Sequence, residues 1–231
     1  MEREKRFLDR SEAGVELGKL LAPAYKGLDM LVLGIARGGV VVAYEVAKIL
    51  HGELSVLISK KIPHPLQEEL AIGACAEDGS VFLTALARSL DSETIQDIVK
   101  EQMREIKSRV DRFRRGKSLP PIKNRIVIIV DDGIATGATL VPAIRLCRSK
   151  MAAKVVVASP VSGQHYVSNI DTLADEVIIA ERPKDFYAVG QVYEDFHHLS
   201  DEEVTHLLDD FEREFALHVR PKNDDRNKRN W

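Results

Sequence analysis

The sequence predicts an α/β domain with a mostly parallel, twisted sheet flanked by helices on both faces. Three observations predict it. Short runs of apolar, largely β-branched residues recur along the chain and alternate with stretches of helical apolar spacing. Two of these runs, "MLVLGIARGGVVVA" and "IVIIVDDGIATGATL", pass through a glycine-bearing turn into a helix, the order that suits parallel strands. The 231 residues are 45% hydrophobic and 30% charged, enough to bury one core and keep a solvated surface.

Each element has its own signal. Residues 11–25 carry Val15, Leu17, Leu20 and Leu21 at helical spacing, with Ser11 as the expected N-cap. A buried strand follows over 30–34, a turn over 35–39 and a helix over 40–50. "ELSVLISKK" reads as another strand and "IPHPLQEEL" as a proline-marked loop. "AIGACAEDGSVFL" reads as two strands about the Asp78-Gly79 turn. Residues 91–115 form a long charged helix with Ile95, Ile98, Val99, Met103, Ile106, Val110 and Phe113 as its apolar positions, ended by "GKSLPPIKN". Strands over 125–130, 154–159 and 176–180, with helices over 139–150 and roughly 165–173, complete the sheet. Residues 181–218 add an aromatic loop and a short helix from Asp201. The tail, 219–231, has almost no apolar content and is expected to be disordered.

Composition excludes several classes. The net charge of −3 gives no reason to expect nucleic acid or a membrane surface. The basic stretch "REIKSRVDRFRRGK" shares its amphipathic helix with Glu101, Glu105 and Asp111, so it reads as a solvated or subunit-facing helix and a candidate homodimer contact. The charged N-terminus has no signal-peptide core, and no apolar run approaches the roughly 18 residues of a membrane span. Cys75 and Cys147 fit no metal-ligand spacing and read as reduced thiols, which points to the cytoplasm.

The chemistry concentrates at Asp131 and Asp132. They end an apolar strand, where ligands bind in a parallel sheet. Residues Thr136–Gly137–Ala138–Thr139 then open a helix, whose free N–H groups and dipole suit a phosphate. The carboxylates suit hydroxyls, so the stretch fits a sugar phosphate with a vicinal diol. An aspartate-capped strand–turn–helix would explain "DDG" alone; the full D-D-x-x-x-T-G-x-T spacing argues against it. There is no G-K-[ST] of a P-loop and no G-x-G-x-x-G of a dinucleotide fold.

"VIIVDDGIATGAT" resembles the phosphoribosyl pyrophosphate (PRPP) signature of type I phosphoribosyltransferases, with Gly133 where the common form has an apolar residue. "GIARGGVVVA", "SKKIPHPLQEELAIGACAEDG" and "DFYAVGQVYEDFHHLSDEEV" extend the resemblance, from about Phe7 to Leu208, to a subgroup whose acceptor is unassigned. The resemblance implies a single domain over 1–218 of type I phosphoribosyltransferase form, with a small C-terminal hood near 181–218. It implies transfer of the 5-phosphoribosyl group from PRPP to a nucleobase-like or amine acceptor, with release of pyrophosphate. Asp131 and Asp132 would hold the ribose hydroxyls, and Ala135, Thr136, Gly137, Ala138 and Thr139 the 5′-phosphate. Arg37, Gly38 and Gly39 would bind pyrophosphate, on a turn that in the family often has a strained or cis peptide. Lys60 and Lys61 would lie on a mobile loop and meet the leaving group. The subgroup more often has Arg-Lys at Lys60-Lys61 and a second proline at Glu68. His64 and Glu69 sit in the same loop; a solvated histidine is the plainer reading of His64. Phe186 or Tyr187 would stack on the acceptor, or else seal the core edge. Mg²⁺ is the implied cofactor, held mainly by substrate and water. Two rivals remain: a non-catalytic sensor of PRPP or nucleotide, and an enzyme, such as a hydrolase, acting on another phosphorylated sugar or nucleotide.

Overall fold

The computed structural model describes residues 7–164, 166 and 170–219. Helix α1 (Arg10–Tyr25) is capped by Asp9, whose carboxylate accepts the Glu12 N–H at 2.8 Å. The cap is therefore Asp9 and not Ser11, two residues earlier than the sequence suggests. Strand β1 (Met30–Ile35), helix α2 (Gly38–Leu50) and strand β2 (Glu53–Leu57) follow. Strands β3 (Ser59–His64), β4 (Gln67–Ala76) and β5 (Val81–Leu83) lead through a short 3-10 turn to α3 (Ser92–Arg114). The remainder is β6 (Ile126–Val130), α4 (Leu140–Ser149), β7 (Lys154–Val161), α5 (Ile170–Leu173), β8 (Glu176–Glu181) and α6 (Asp201–Val219).

The main sheet is five-stranded and parallel, in the order β2-β1-β6-β7-β8. Period-two alternation sends its apolar residues to two separate cores. Leu31, Leu33, Val127, Ile129, Val155 and Val157 pack against α4 on one face. Met30, Val32, Ile128, Val130, Val156 and Ala158 pack against α1, α2 and Phe211 of α6 on the other. A sheet buried on both faces explains why its strands read as continuous apolar runs.

Three expectations are corrected. "ELSVLISKK" is not one strand: it divides at Ile58 into β2 of the main sheet and β3 of a separate antiparallel sheet, β3-β4-β5. "IPHPLQEEL" is not a loop but the outer part of the β3–β4 hairpin. Its ladder is irregular at Ile62/Pro63 and Pro63/His64, and such an irregularity is where a strand tolerates proline. The helix from Asp201 is not short: it has 19 residues, and Val204 and Phe211 are buried in two different core clusters. The helix expected over 165–173 is described from Ile170; residues 165 and 167–169 lie outside the described residues, as does 220–231 of the tail. No described helix is long and apolar enough to cross a membrane.

Candidate active site

The strand order reverses direction at β1. From β1 the chain goes outward to β2, then returns across to β6 on β1's other side. The crevice beyond the carboxyl ends of β1 and β6 is therefore the topological switch point, where ligands bind in open α/β sheets. Two segments enter it. After β1 comes the turn 36–39, with a cis peptide between Ala36 and Arg37 and α2 starting at Gly38. After β6 come Asp131 and Asp132. The two meet so closely that a Cβ on Gly38 would overlap Asp132 Oδ2 and lie 3.0 Å from Arg10 Nε.

The two carboxylates have opposite surroundings. Asp132 Oδ2 accepts Arg10 Nε at 2.7 Å, and its carbonyl accepts the Tyr193 hydroxyl at 2.6 Å. Arg10 is only 9% exposed; it also donates Nη1 to the His197 carbonyl at 3.0 Å and stacks 3.8 Å from the Phe196 ring centre. Asp131 has no cation in contact among the described residues, and its carboxylate accepts the Asp132 N–H at 3.0 Å. Burial, and then the Asp132 charge, hold the Asp131 carboxyl well above the usual carboxylate range; the Asp132 N–H and the Lys61 ammonium pull it partly back. The pair thus has one member paired with a cation and one without a cation in contact.

Asp132 leads into the phosphate-type loop. Ile134 anchors it, donating to the Val161 carbonyl at 2.9 Å and accepting from Gly163 N–H at 3.3 Å. Gly137 has φ +72°, the left-handed region that favours glycine. The Thr136 hydroxyl accepts the Ala138 N–H at 3.4 Å, and Ser59 of β3 donates to the Thr139 carbonyl at 2.8 Å. Among the described residues the N–H groups of Thr136, Gly137 and Thr139 are left unpaired just ahead of α4. Unpaired amides at a helix start form an anion cradle. Gly133 also has its physical reason: a Cβ there would overlap Val189 Cγ1 and lie 2.7 Å from Cγ2.

Residues 17–197 match the phosphoribosyl transferase domain. The chain belongs to this family. It is 43% identical over 215 residues to the Mycobacterium tuberculosis protein named "Putative phosphoribosyl transferase Rv0571c", covering 92% of this chain and 48% of that protein. It thus spans about half the length of that curated relative. The crystal structure of TT1426 from Thermus thermophilus is 39% identical, with a TM-score of 0.75, covering 89% of this chain and 99% of that one. A shorter match, 33% identical over 87 residues, is to the transcriptional regulator GfcR of Methanosphaera stadtmanae, covering 38% of this chain and 42% of that protein.

In this phosphoribosyl transferase domain, alternation along β3 separates the two candidate lysines. Lys60 turns to α3 and pairs with Glu105; burial and then the Arg109 charge lower its pKa. Lys61 lies on the other side of the strand, and its charge acts on Asp131. Of the two lysines, Lys61 is the one whose charge bears on the acid pair. His64 stays within the hairpin tip, where Nδ1 accepts the Leu66 N–H at 3.2 Å, and Glu69 is exposed on β4. Phe186 packs with Phe7, Val161, Val192 and Tyr193, while Tyr187 is 87% exposed.

Arg10 and Tyr193 were not among the residues the sequence singled out. They stand 122 and 61 residues from Asp132, so no local spacing connects them. One signal was available: a cation in the first turn of a helix opposes the helix dipole, so Arg10 had to be held by something outside its own helix.

Proposed function

We propose that this chain transfers the 5-phosphoribosyl group of PRPP to a nucleobase-like or amine acceptor and releases pyrophosphate. The observation that carries the reading is the convergence at the switch point: the acid pair, three unpaired amides ahead of α4 and the Arg37–Gly39 turn line one crevice. The family match and the Thermus thermophilus structure support the same reading. The amides of residues 135–139 receive the 5′-phosphate, Asp131 the ribose hydroxyls, and the turn at Arg37–Gly39 the pyrophosphate. The acceptor's lone pair forms a bond to C1 as the C1–O bond breaks, and pyrophosphate leaves with the electron pair. Positive charge builds on the ribose ring, and the adjacent carboxylates stabilise it.

Mg²⁺ belongs to this reading. Among the described residues no group of three or more His, Cys, Asp or Glu side chains forms a metal cage, and Asp132 is engaged by Arg10. That donor set suits an ion that takes most of its oxygens from substrate and water, with Asp131 as the carboxylate free to face it. When bound, Mg²⁺ supplies positive charge to the departing pyrophosphate. The segment 186–196 serves as the hood over the acceptor, with Phe186 or Tyr187 as its aromatic contact.

The test is PRPP titration with and without Mg²⁺, followed by pyrophosphate release across a panel of purine and pyrimidine bases and small amines. Saturable PRPP binding with turnover for one acceptor class is the expected outcome. No PRPP binding would sink the reading. Binding without turnover for any acceptor would favour a PRPP or nucleotide sensor, the second reading, which the partial likeness to a transcriptional regulator supports.

A further inference from the structure

Arg10 stands ahead of the residues, 17–197, that match the family. It is nonetheless built into the crevice. Three contacts hold its guanidinium: the His197 carbonyl accepts Nη1 at 3.0 Å, the Phe196 ring centre lies 3.8 Å from the guanidinium carbon, and Asp132 Oδ2 accepts Nε at 2.7 Å. Phe196 stacks in turn on Tyr193, with ring centres 5.0 Å apart, and the Tyr193 hydroxyl donates to the Asp132 carbonyl at 2.6 Å. The Arg10–Asp132 pair rests on the turn after β1. A Cβ on Gly38 would lie 1.9 Å from Asp132 Oδ2 and 3.0 Å from Arg10 Nε, so both charged groups lie against the Gly38 backbone. A Cβ on Gly39 would lie 2.5 Å from the Val130 carbonyl oxygen, so the next residue of the turn is seated on the end of β6. Both side chains of the pair are largely withdrawn from solvent, where salt screens charge little. Without Arg10, a full negative charge would therefore stand beside the turn, and the carboxylate would be free to leave it. With Arg10, the charge is cancelled by a short charge-assisted hydrogen bond and the carboxylate has one position.

We propose that Arg10 is a positioning residue for the donor: it holds the Asp132 carboxylate against the Gly38 backbone and cancels its charge there, so that the turn at residues 37–39 can admit a polyanion. Arg10 does not touch the donor; it acts through Asp132. Because His197 and Phe196 hold Arg10, and Tyr193 holds the Asp132 carbonyl, the segment after β8 reaches the donor turn through this pair. The inference rests on the pyrophosphate role given above to that turn.

Titration of the full chain with PRPP and, separately, with ribose 5-phosphate at one fixed Mg²⁺ concentration reads the role directly. The two ligands share the diol and the 5′-phosphate, and only PRPP carries pyrophosphate. Arg10→Met is expected to weaken PRPP at least tenfold and ribose 5-phosphate less than threefold. Arg10→Lys keeps the charge but not the fork, and should lose clearly less PRPP affinity. Adding Asp132→Asn to Arg10→Met removes both charges and should recover most of the lost PRPP affinity. Lys19→Met removes a cation from an exposed position of the same helix and should leave both ligands within twofold. A loss that falls equally on the two ligands, or a double variant no better than Arg10→Met, would overturn the role. Where Arg10→Met does not fold, Arg10→Lys and the double variant carry the same comparison. A chain that binds PRPP with this dependence on Arg10 yet never turns it over would remove the transfer reading and leave the role standing. Turnover of PRPP, with the preference for PRPP over ribose 5-phosphate indifferent to Arg10, would do the reverse. No PRPP binding by the unaltered chain would overturn both.

Discussion

At the residue scale, Asp131 is the costliest group in the crevice. Its pKa is raised in the folded chain, so the folded state holds its proton more tightly than the unfolded state does. Stability is therefore greatest below the ordinary carboxylate pKa and is lost as pH rises through the raised one. Asp131→Asn removes that loss and can still accept the Asp132 N–H. At neutral pH it should gain about 1 kcal/mol or more, roughly 2–4 °C in Tm, with no gain near pH 3, while productive PRPP use is abolished. Thermal melts at both pH values and a turnover assay check the pair of outcomes; a variant no more stable at neutral pH would contradict the electrostatics. Diol binding needs the ionised form, so PRPP affinity in the unaltered chain should fall as pH drops through the same raised pKa. Gly133 makes a second residue-scale case. Gly133→Ala should cost about 1–3 kcal/mol by overpacking, and Val189→Ala in the same chain should recover part of it. A double-mutant cycle on denaturant midpoints measures the coupling, and strictly additive effects would mean the two positions do not share that space.

At the element scale, one strand gives adjacent lysines different work. Lys61→Met should raise the Asp131 pKa further and move the acid limb of PRPP binding to higher pH. Lys60→Met should leave that limb in place. Binding profiles between about pH 4 and 8 separate them, and equal shifts would argue against the alternation. Much of this level was legible in the sequence. The strand end at Asp131, the turn after β1 and the helix after Thr139 are each written in contiguous residues, and period and punctuation suffice to find them. The hairpin was misread because Pro63 and Pro65 look like loop punctuation when the ladder's irregularity, which tolerates Pro63, is unseen. The division at Ile58 left no trace either, since a chain leaving one sheet for another keeps the same apolar alternation. Helix α6 looked peripheral, yet Phe211 meets Tyr44 of α2 edge-on, with ring centres 5.8 Å apart. Phe211→Ala should cost about 3–5 kcal/mol by chemical denaturation, and a loss under 1 kcal/mol would return α6 to the margin of the fold.

At the scale of the whole molecule, the site is closed by a seam between residues far apart in the chain. Phe7 and Leu8 exchange backbone hydrogen bonds of 2.7–2.9 Å with residues 192–195, and Arg10 joins that seam to Asp132. None of these partners could be chosen from the sequence, because each bond spans most of the chain and carries no local mark. Arg10→Met should leave a partly buried carboxylate without its counter-ion and destabilise the chain by about 1–3 kcal/mol. Adding Asp132→Asn should restore much of that; a double variant no better than the single one would show that the pairing is not what the loss measures.

The seam has a consequence in time. During synthesis Arg10 emerges first of the group, Asp132 follows after 122 further residues and the His197 carbonyl after 187. A nascent chain released near residue 190 would already hold both carboxylates, the phosphate loop and the turn. It would lack Tyr193, Phe196 and His197, everything except Asp132 itself that keeps Arg10 where it stands. Assembly of the crevice therefore waits until residue 197 has been made, and until then Arg10 has only Asp132 to hold it.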